Sequence, residues 1–326
     1  MSALAVARHA MNTRFEVLLH GGNPIVLRAA ADEALNEIER LEAQLSLFRP
    51  TSEIARVNAH AALEPVRVSP PVFRLLQRAR ELCAATDGAF DPTVAPLLRA
   101  WGFLGGPGRV ARADELEAAR ALVGMLRVEL DPKALTVRFP LPGMMLDLGA
   151  IGKGYAIDCA ADALREAGIE NAFIHGGTSS CYAIGTAEDG APWRVAVNTP
   201  GPPDAVPAGP TAALPEALEV VPLRDESLGV SAVETKAFRD GERTYGHVLD
   251  PRTGVPVQAA RLAAAVLPSA TETDALSTAL MTLGSGGLTL LRERFPRGRF
   301  LVVASGAQDN EWAVHRVGFA SPLAGG

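Results

Sequence analysis

The sequence predicts an α+β fold in which mostly antiparallel sheets are flanked by helices. Strand patterns come in adjacent runs joined by short turns, as at 126–130 and 136–140. The turn dipeptide Asp240-Gly241 marks another hairpin. Helical patterns fill the intervals between these runs. This order favours α+β over a doubly wound α/β fold, in which single strands and helices would alternate.

The predicted elements follow from the periodicity of the apolar residues. The first helix opens at Asn23-Pro24 and places Leu27, Ile38 and Leu45 on one apolar face. Further helices are predicted at about 71–86, 113–123, 153–167, 273–283 and 287–294. Further strands are predicted at 14–19, 144–148, 171–176, 193–197, 218–223, 227–232, 260–267 and 299–304.

We expect a single domain over residues 1–326, with a Pro-rich, flexible insertion near 199–216. Residues 199–215 contain six prolines, with Gly and Ala between them. Such a composition cannot pack as a helix or a central strand, so an exposed loop is predicted. A connection between two lobes and a simple surface insertion both fit this loop.

The composition excludes several classes of protein. The net charge is −6 with no basic stripe, which argues against nucleic-acid binding. No segment approaches the ~20 uninterrupted apolar residues of a membrane-spanning helix. Because Arg8 and His9 interrupt the N-terminal apolar run, we expect no signal peptide, no membrane anchor and a cytoplasmic location. The three cysteines show no CxxC spacing, so neither a disulfide framework nor structural zinc is expected.

A Gly-rich segment, LDLGAIGKGYAID at 146–158, connects a predicted strand to a predicted helix. Glycines let backbone N–H groups approach an anion, and a helix N-terminus favours phosphate. Lys153 adds a positive charge. The segment is neither a P-loop nor a GxGxxG motif, since Asp147 and Ile157 stand where glycines would be required. A phosphate site and an ordinary strand–turn–helix both remain open.

The segment TDALSTAL at 273–280 places Asp274 and Thr278 four residues apart, on one face of a helix. The simpler interpretation of Asp274 is a helix cap. The functional interpretation is a site for a hard cation, because carboxylate, hydroxyl and carbonyl oxygens suit Mg²⁺.

A single histidine, His247, lies in YGHVLDPRTGVPV at 245–257, on a predicted short apolar strand. Asp250 and Thr253 are predicted to form a turn, with Gly254 in its left-handed position. A histidine on a strand is usually structural. Beside a phosphate and metal site, however, it could deprotonate an attacking hydroxyl.

Aromatic residues accompany two further segments. Phe90, Trp101 and Phe103 lie in GAFDPTVAPLLRAWGF at 88–103, where a core role is more usual than a ring platform. Phe48 precedes Arg49-Pro50, where the first helix ends. It could either stack on a flat ligand or pack into the core.

These five segments, in this order and spacing, resemble the ApbE-type FAD:protein FMN transferases over roughly residues 10–305. The resemblance implies a two-lobed, T-fold-related architecture with the flavin site between the lobes. It implies that Ala150, through its carbonyl, and Asp274 and Thr278, through their side chains, bind Mg²⁺. His247 matches the catalytic histidine of the family. The positions that match FAD contacts are Met11, Phe48, Ala89, Phe90, Asp91, Asp147, Lys153 and Val248.

The reaction implied by the resemblance is phosphoryl transfer. A Thr or Ser hydroxyl of an acceptor flavoprotein subunit or domain attacks the FMN-side phosphorus of FAD, and AMP leaves. Three departures from the family pattern stand out: Asn12 replaces a glycine, Phe48 replaces a tyrosine, and Thr178 replaces an acidic residue. Asn12 is expected to form its turn less easily than glycine would.

Other functions compete with the transferase. A flavin-binding or storage protein would hold FAD without chemistry, and a Mg²⁺-dependent FAD pyrophosphatase would release free FMN and AMP. A structural role without catalysis would leave the co-occurrence of Asp147, Lys153, His247, Asp274 and Thr278 unexplained.

Overall fold

The computed structural model describes residues 3–199, 217–233, 237–241, 243–258, 260–305 and 312–319. The predicted Pro-rich insertion near 199–216 lies outside the described residues, except for Thr199. Within them the helices are α1 (Pro24–Leu45), α2 (Glu53–His60), α3 (Pro70–Ala85), α4 (Ala95–Ala100), α5 (Ala113–Ala121), α6 (Gly152–Glu166), α7 (Ala270–Leu283) and α8 (Gly287–Arg294). The strands are β1 (Leu4–Ala10), β2 (Thr13–Leu19), β3 (Val66–Arg67), β4 (Glu129–Asp131), β5 (Thr136–Arg138), β6 (Ala172–Gly176), β7 (Ser180–Ile184), β8 (Trp193–Asn198), β9 (Ala217–Leu223), β10 (Glu226–Ala232), β11 (Ala237–Asp240), β12 (Arg243–Gly246), β13 (Ala260–Leu267), β14 (Arg299–Ser305) and β15 (Trp312–Val317).

A sheet of eight strands forms the centre of the molecule, in the order β1-β2-β6-β7-β10-β13-β14-β15. Each neighbouring pair in it is antiparallel. Two hairpins, β8–β9 and β11–β12, and a small sheet, β3-β5-β4, complete the strands of the described ranges. The predicted α+β class with mostly antiparallel sheets is therefore confirmed.

The central sheet is buried on both faces, as β13 illustrates. Ala263 and Ala265 face the main core beneath α1, α6 and α7. Ala264 and Val266, which alternate with them, face a second core beneath the β8–β9 hairpin. Alternate side chains of a strand point to opposite faces, so a strand covered on both sides is apolar throughout.

A satellite core lies under α4 and α5 and includes Trp101 and Leu249. The Trp101 indole Nε1 donates a hydrogen bond to the Gly254 carbonyl at 2.8 Å, which ties the DPRTG turn to this core. Gly254 has a φ of 79°, so its predicted left-handed conformation is confirmed. Phe90 is buried as well, in the main core, which confirms the core interpretation of these aromatics.

The predicted strand at 144–148 is wrong. The Asn58 amide takes the place of a neighbouring strand here: Nδ2 donates to the Leu146 carbonyl at 2.9 Å, and Oδ1 accepts from the Leu146 N–H at 2.7 Å. The Asp147 N–H donates to the Pro92 carbonyl at 2.7 Å. Because these partners are a side chain and a loop, no ladder forms, although the segment is apolar.

Two other expectations concern membrane and thiol chemistry. Within the described ranges, no helix combines the length and the apolar character that crossing a bilayer requires. All three cysteines are free; Cys83 and Cys181 are buried and Cys159 is partly exposed.

The contact between β10 and α7 is so close that it depends on a glycine. A Cβ atom built on Gly229 would lie 2.4 Å from the Thr273 carbonyl oxygen and 3.0 Å from the Asp274 N–H nitrogen. On either side of Gly229, the Ser227 and Ser231 hydroxyls contact α7 through Thr273 and Ser277.

We predict that Gly229→Ala lowers the free energy of unfolding by about 1–3 kcal/mol or more, because backbone atoms of α7 must move to admit the methyl group. Chemical denaturation followed by circular dichroism measures this change. Gly286→Ala is the control: a Cβ there has open space within 4 Å. Equal denaturation midpoints for wild type and Gly229→Ala would contradict the close packing.

Candidate active site

The Gly-rich turn before α6 is organised around Asp147. The Asp147 Oδ1 atom accepts a hydrogen bond from the Gly149 N–H at 2.7 Å. The Lys153 ammonium donates to the Gly149 carbonyl at 3.3 Å. The Leu148 carbonyl accepts from the Gly152 N–H at 2.7 Å and so closes the turn onto the helix. Asp147 and Lys153 thus both contact Gly149, in the turn at the N-terminus of α6.

Helix α7 crosses this N-terminus at Gly154. A Cβ atom at that position would lie 2.0 Å from the Ala270 carbonyl oxygen and 2.8 Å from Asp274 Cβ. No residue larger than glycine fits without separating the two helices. The approach therefore places Asp274 directly beside the first turn of α6.

Asp274 is buried, and each of its carboxylate oxygens has partners. Oδ2 accepts from the Gly154 N–H at 3.0 Å. Oδ1 accepts from the Ser180 hydroxyl at 3.3 Å and lies 3.7 Å from Lys153 Nζ. The N-cap of α7 is Ser269, so the interpretation of Asp274 as a helix cap is wrong.

The carbonyl of Ala150 lies at the start of α6, where a regular helix would pair it with the Gly154 N–H. That N–H donates to Asp274 Oδ2 instead. The Ala150 carbonyl oxygen therefore lacks this helical partner, and it lies at the same turn as the Asp274 carboxylate.

Hydroxyl groups line the face of α7 next to Asp274. Thr278 Oγ1 donates to the Asp274 carbonyl at 3.2 Å and lies 3.2 Å from Ser231 Oγ. Ser231 Oγ also contacts Ser277 Oγ at 2.9 Å. The predicted placement of Asp274 and Thr278 on one helical face is therefore confirmed.

A second carboxylate, Asp158, joins the two helices further along α6. It accepts hydrogen bonds from the Ser269 hydroxyl, the Ala270 and Thr271 N–H groups and the Thr271 hydroxyl, at 2.6–2.9 Å. Burial raises the pKa of the Asp158 carboxyl, and the hydrogen bonds from Thr271, Ala270 and Ser269 oppose that rise.

The segment at 89–93 contacts the same turn through the bond between the Pro92 carbonyl and the Asp147 N–H. Ala89, Phe90 and Asp91 are all buried. Asp91 forms a turn: its Oδ1 accepts from the Thr93 N–H at 2.8 Å and from the Thr93 hydroxyl. Its Oδ2 accepts from the Met125 N–H at 2.9 Å. Contact of this segment with FAD stays a prediction.

Phe48 is 73% exposed, so the alternative that packs it into the core is wrong. It follows the C-terminus of α1, where Leu45 lies within 4.0 Å of the Cβ position of Gly152. The loop that carries the exposed Phe48 ring therefore begins close to the first residue of α6.

The β1–β2 turn lies against the loop between β6 and β7. Met11 and Asn12 form a two-residue hairpin turn with φ of 48° and 60°. Two left-handed residues are the requirement of a type I′ turn. The turn is followed by Thr13, whose hydroxyl lies 2.4 Å from the Cβ position of Gly177 in the loop that leads to Ser180.

The predicted strand location of His247 is wrong. Strand β12 ends at Gly246, and His247 lies in a bend, half-buried, because the chain there turns away from β11. A Cβ atom at Gly246 would lie 2.6 Å from Val233 Cγ1, just beyond the end of β10, which carries Ser231. Val248 is buried, and its carbonyl accepts from the Val257 N–H at 2.9 Å.

Comparison with known proteins identifies the family of this chain. The sequence model of the ApbE family matches residues 11–299. The chain belongs to the ApbE family. It is 31% identical to a protein named FAD:protein FMN transferase from Vibrio cholerae, over 76% of this chain and 71% of the relative. It is also 31% identical to a protein of the same name from Klebsiella pneumoniae, over 84% of each chain.

Solved structures of the family have the same fold. The crystal structure of an ApbE protein from Thermotoga maritima matches with a TM-score of 0.83 and 28% identity, over 97% of each chain. The apo form of a flavinyl transferase ApbE from Pseudomonas stutzeri matches with a TM-score of 0.80 and 28% identity, over 97% of this chain and 94% of that one. The prediction of an ApbE family enzyme is confirmed.

The departures of this chain from the ApbE pattern have distinct structural outcomes. Asn12 adopts the left-handed conformation, which asparagine tolerates better than most residues, so the turn forms without glycine. That it forms less easily than with glycine stays a prediction. Thr178 is exposed in the loop between β6 and β7.

Three residues at or next to the site were missed from the sequence of this ApbE chain: Asp158, Ser180 and Ser231. Ser231 had a signal, because Ser227, Gly229 and Ser231 alternate as small residues along one face of β10. The partners of Asp158 and Ser180 lie more than 90 residues away in the chain, so no local pattern marks them.

We predict that Asn58→Asp destabilises the ApbE fold by about 1–3 kcal/mol, because a carboxylate oxygen would oppose the Leu146 carbonyl where the amide now donates. Denaturant titration measures the loss. Asn36→Asp, an exposed change on α1, is the control. An unchanged midpoint for Asn58→Asp would show that the segment before Asp147 does not depend on this amide.

Proposed function

We propose that this chain transfers FMN from FAD to a Thr or Ser hydroxyl of an acceptor protein. The new bond joins the hydroxyl oxygen to the FMN-side phosphorus, and the bond from that phosphorus to the bridging oxygen breaks. AMP leaves with the bridging oxygen. The name shared by the curated relatives supports the reaction, and the convergence of Asp274, Lys153 and the N-terminus of α6 supports the placement of its diphosphate.

The diphosphate of FAD fits at the first turn of α6. A helix N-terminus attracts anions, and the Lys153 ammonium adds a full positive charge. Lys153 lies 3.7 Å from Asp274 Oδ1, so this ammonium is already beside the carboxylate that faces the turn. In this proposal Lys153 binds the phosphates and Asp147, across the turn, contacts the remainder of the nucleotide.

The oxygen groups around Asp274 fit Mg²⁺. Asp274 and Thr278 would supply a carboxylate and a hydroxyl, and Ala150 would supply its carbonyl. No cluster of three or more His, Cys, Asp or Glu occurs in the described parts of the chain, so softer metals are poorly served. Mg²⁺ suits a site with few protein ligands, because it keeps waters and takes phosphate oxygens. When bound, it supplies charge neutralisation at the diphosphate.

The flavin ring and the acceptor hydroxyl occupy the rim in this proposal. The exposed Phe48 ring stacks on the isoalloxazine, while Met11, Val248 and the segment Ala89 to Asp91 contact other parts of FAD. His247 takes the proton of the attacking hydroxyl. It directly follows β12 and is half-buried, and in this proposal the acceptor loop reaches it from solvent.

A single incubation separates the possible reactions. The purified chain, FAD and Mg²⁺ are mixed with a Thr-bearing acceptor domain, and intact-mass spectrometry of the acceptor is combined with chromatography of AMP and free FMN. The transferase gives acceptor-bound FMN and AMP in equal amounts. A pyrophosphatase gives AMP and free FMN, and a storage protein gives neither; both outcomes would overturn the proposal.

We predict that His247→Ala reduces FMN transfer by about 10²–10⁴-fold, the range that a general base contributes, and leaves the Kd for FAD nearly unchanged. Fluorescence of the acceptor band on a denaturing gel measures transfer, and quenching of flavin fluorescence measures binding. His60→Ala, on the exposed surface of α2, is the control. Transfer by His247→Ala at wild-type rate would remove His247 from the mechanism.

We predict that Asp274→Asn weakens Mg²⁺ binding by at least about 10–100-fold, since loss of a direct ligand should cost no less than loss of an outer partner. Calorimetric titration with Mg²⁺ measures the change, and the Mg²⁺ dependence of transfer should shift in parallel. Asp32→Asn, in a surface pair with Arg28, should behave as wild type. An unaltered Mg²⁺ affinity in Asp274→Asn would refute this site.

A further inference from the structure

We infer that Asp158 is a positioning residue for the Mg²⁺ site: it sets the offset between α6 and α7 that places Asp274 beside the Ala150 carbonyl. This inference rests on the proposed function of Asp274 as a metal ligand. Asp158 itself lies one turn along α6 from the site and contacts the N-terminus of α7, not Asp274.

Helices α6 and α7 each place a carboxylate at the N-terminus of the other helix. Asp158, four residues after Gly154 on α6, accepts the N–H of Ala270. Asp274, four residues after Ala270 on α7, accepts the N–H of Gly154. Each helix thus supplies the anion that pairs with the positive N-terminus of the other. The crossing point is the contact between Gly154 and the Ala270 carbonyl.

Because of this arrangement, the position of the Asp274 carboxylate depends on the hydrogen bonds that Asp158 accepts. Among the described residues, every hydrogen bond between α6 and the start of α7 involves Asp158 or Asp274. If the bonds to Asp158 are lost, the Gly154–Asp274 hydrogen bond still joins α6 to α7, and Arg78 of α3 still pairs with Glu272. A small shift of α7 along α6 then becomes less costly. Asp274 is one turn further along the same rigid helix, so its carboxylate moves with it.

The contacts between α7 and β10 do not replace this restraint. The Ser227–Thr273 and Ser231–Ser277 pairs hold α7 against the sheet. These pairs restrain the distance between α7 and β10, and neither pair contacts α6. The four hydrogen bonds to Asp158 are therefore the larger share of the polar restraint on the α6–α7 offset, and the test must separate an altered metal site from a general loss of stability.

Asp158→Asn is the main test variant, because its amide keeps the shape but presents N–H groups to the N–H groups of α7. The probe is Mg²⁺ alone, titrated calorimetrically into folded protein well below its unfolding temperature. We expect the Kd for Mg²⁺ to rise about tenfold, the lower end for partners outside the ligand set. We also expect excess Mg²⁺ to restore most of kcat. Asp162→Asn, exposed on the same helix, is the matched control and should match wild type.

A milder variant covers the case in which Asp158→Asn does not fold. Thr271→Val removes one hydroxyl donor to Asp158 and keeps the side-chain shape. We expect a smaller rise in the Kd for Mg²⁺, in the same direction. A purely structural role would lower the denaturation midpoint and leave the Kd unchanged; a Kd within twofold of wild type in whichever variant folds would overturn the inference.

The same titrations separate this inference from the proposed function. If the wild type binds no Mg²⁺, or if Asp274→Asn binds it as tightly as the wild type, the proposed metal site has failed. If Asp274→Asn loses affinity and neither Asp158→Asn nor Thr271→Val does, the metal site stands and the positioning role of Asp158 is wrong.

Discussion

The crossing of α6 and α7 at Gly154 is the constraint on which the site depends. The Cβ position of Gly154 lies 2.0 Å from the Ala270 carbonyl oxygen, a separation that only two helices in direct backbone contact can have. The contact brings the Asp274 carboxylate, from the last third of the chain, to the N-terminus of α6, from its middle. Electrostatic attraction then stabilises this close crossing, because the N-terminus of each helix contacts a carboxylate of the other helix.

The central sheet explains why this crossing can be held so tightly. Its strands are covered on one side by α1, α6 and α7 and on the other by the β8–β9 hairpin. Neither α6 nor α7 can therefore move toward solvent without exposing core residues. Small residues on β10 bring α7 close to the sheet, and the hydroxyls among them satisfy polar groups that would otherwise be costly to bury. Packing and polar pairing therefore act on the same helix.

Much of the fold could be predicted from local patterns, and the failures have physical causes. The periodicity of α1 and the apolar run of β13 are properties of neighbouring residues, which a sequence displays directly. The segment at 144–148 is apolar and extended, yet it has no strand partner, because the Asn58 side chain occupies that position. The spacing of Asp274 and Thr278 was enough to place them on one face of α7. Asp158 was missed, because its partner Ala270 lies on a helix 112 residues later in the chain.

The separation of α6 and α7 in sequence has a consequence for the order of synthesis. Lys153 and Asp158 leave the ribosome long before Asp274, whose partner Gly154 precedes it by 120 residues. A nascent chain that ends before α7 contains the turn with Asp147 and Lys153 but lacks Asp274, the carboxylate that contacts Gly154 and Lys153 in the folded chain. The proposed Mg²⁺ site needs Asp274, so it forms only once α7 has been synthesised and has packed against α6.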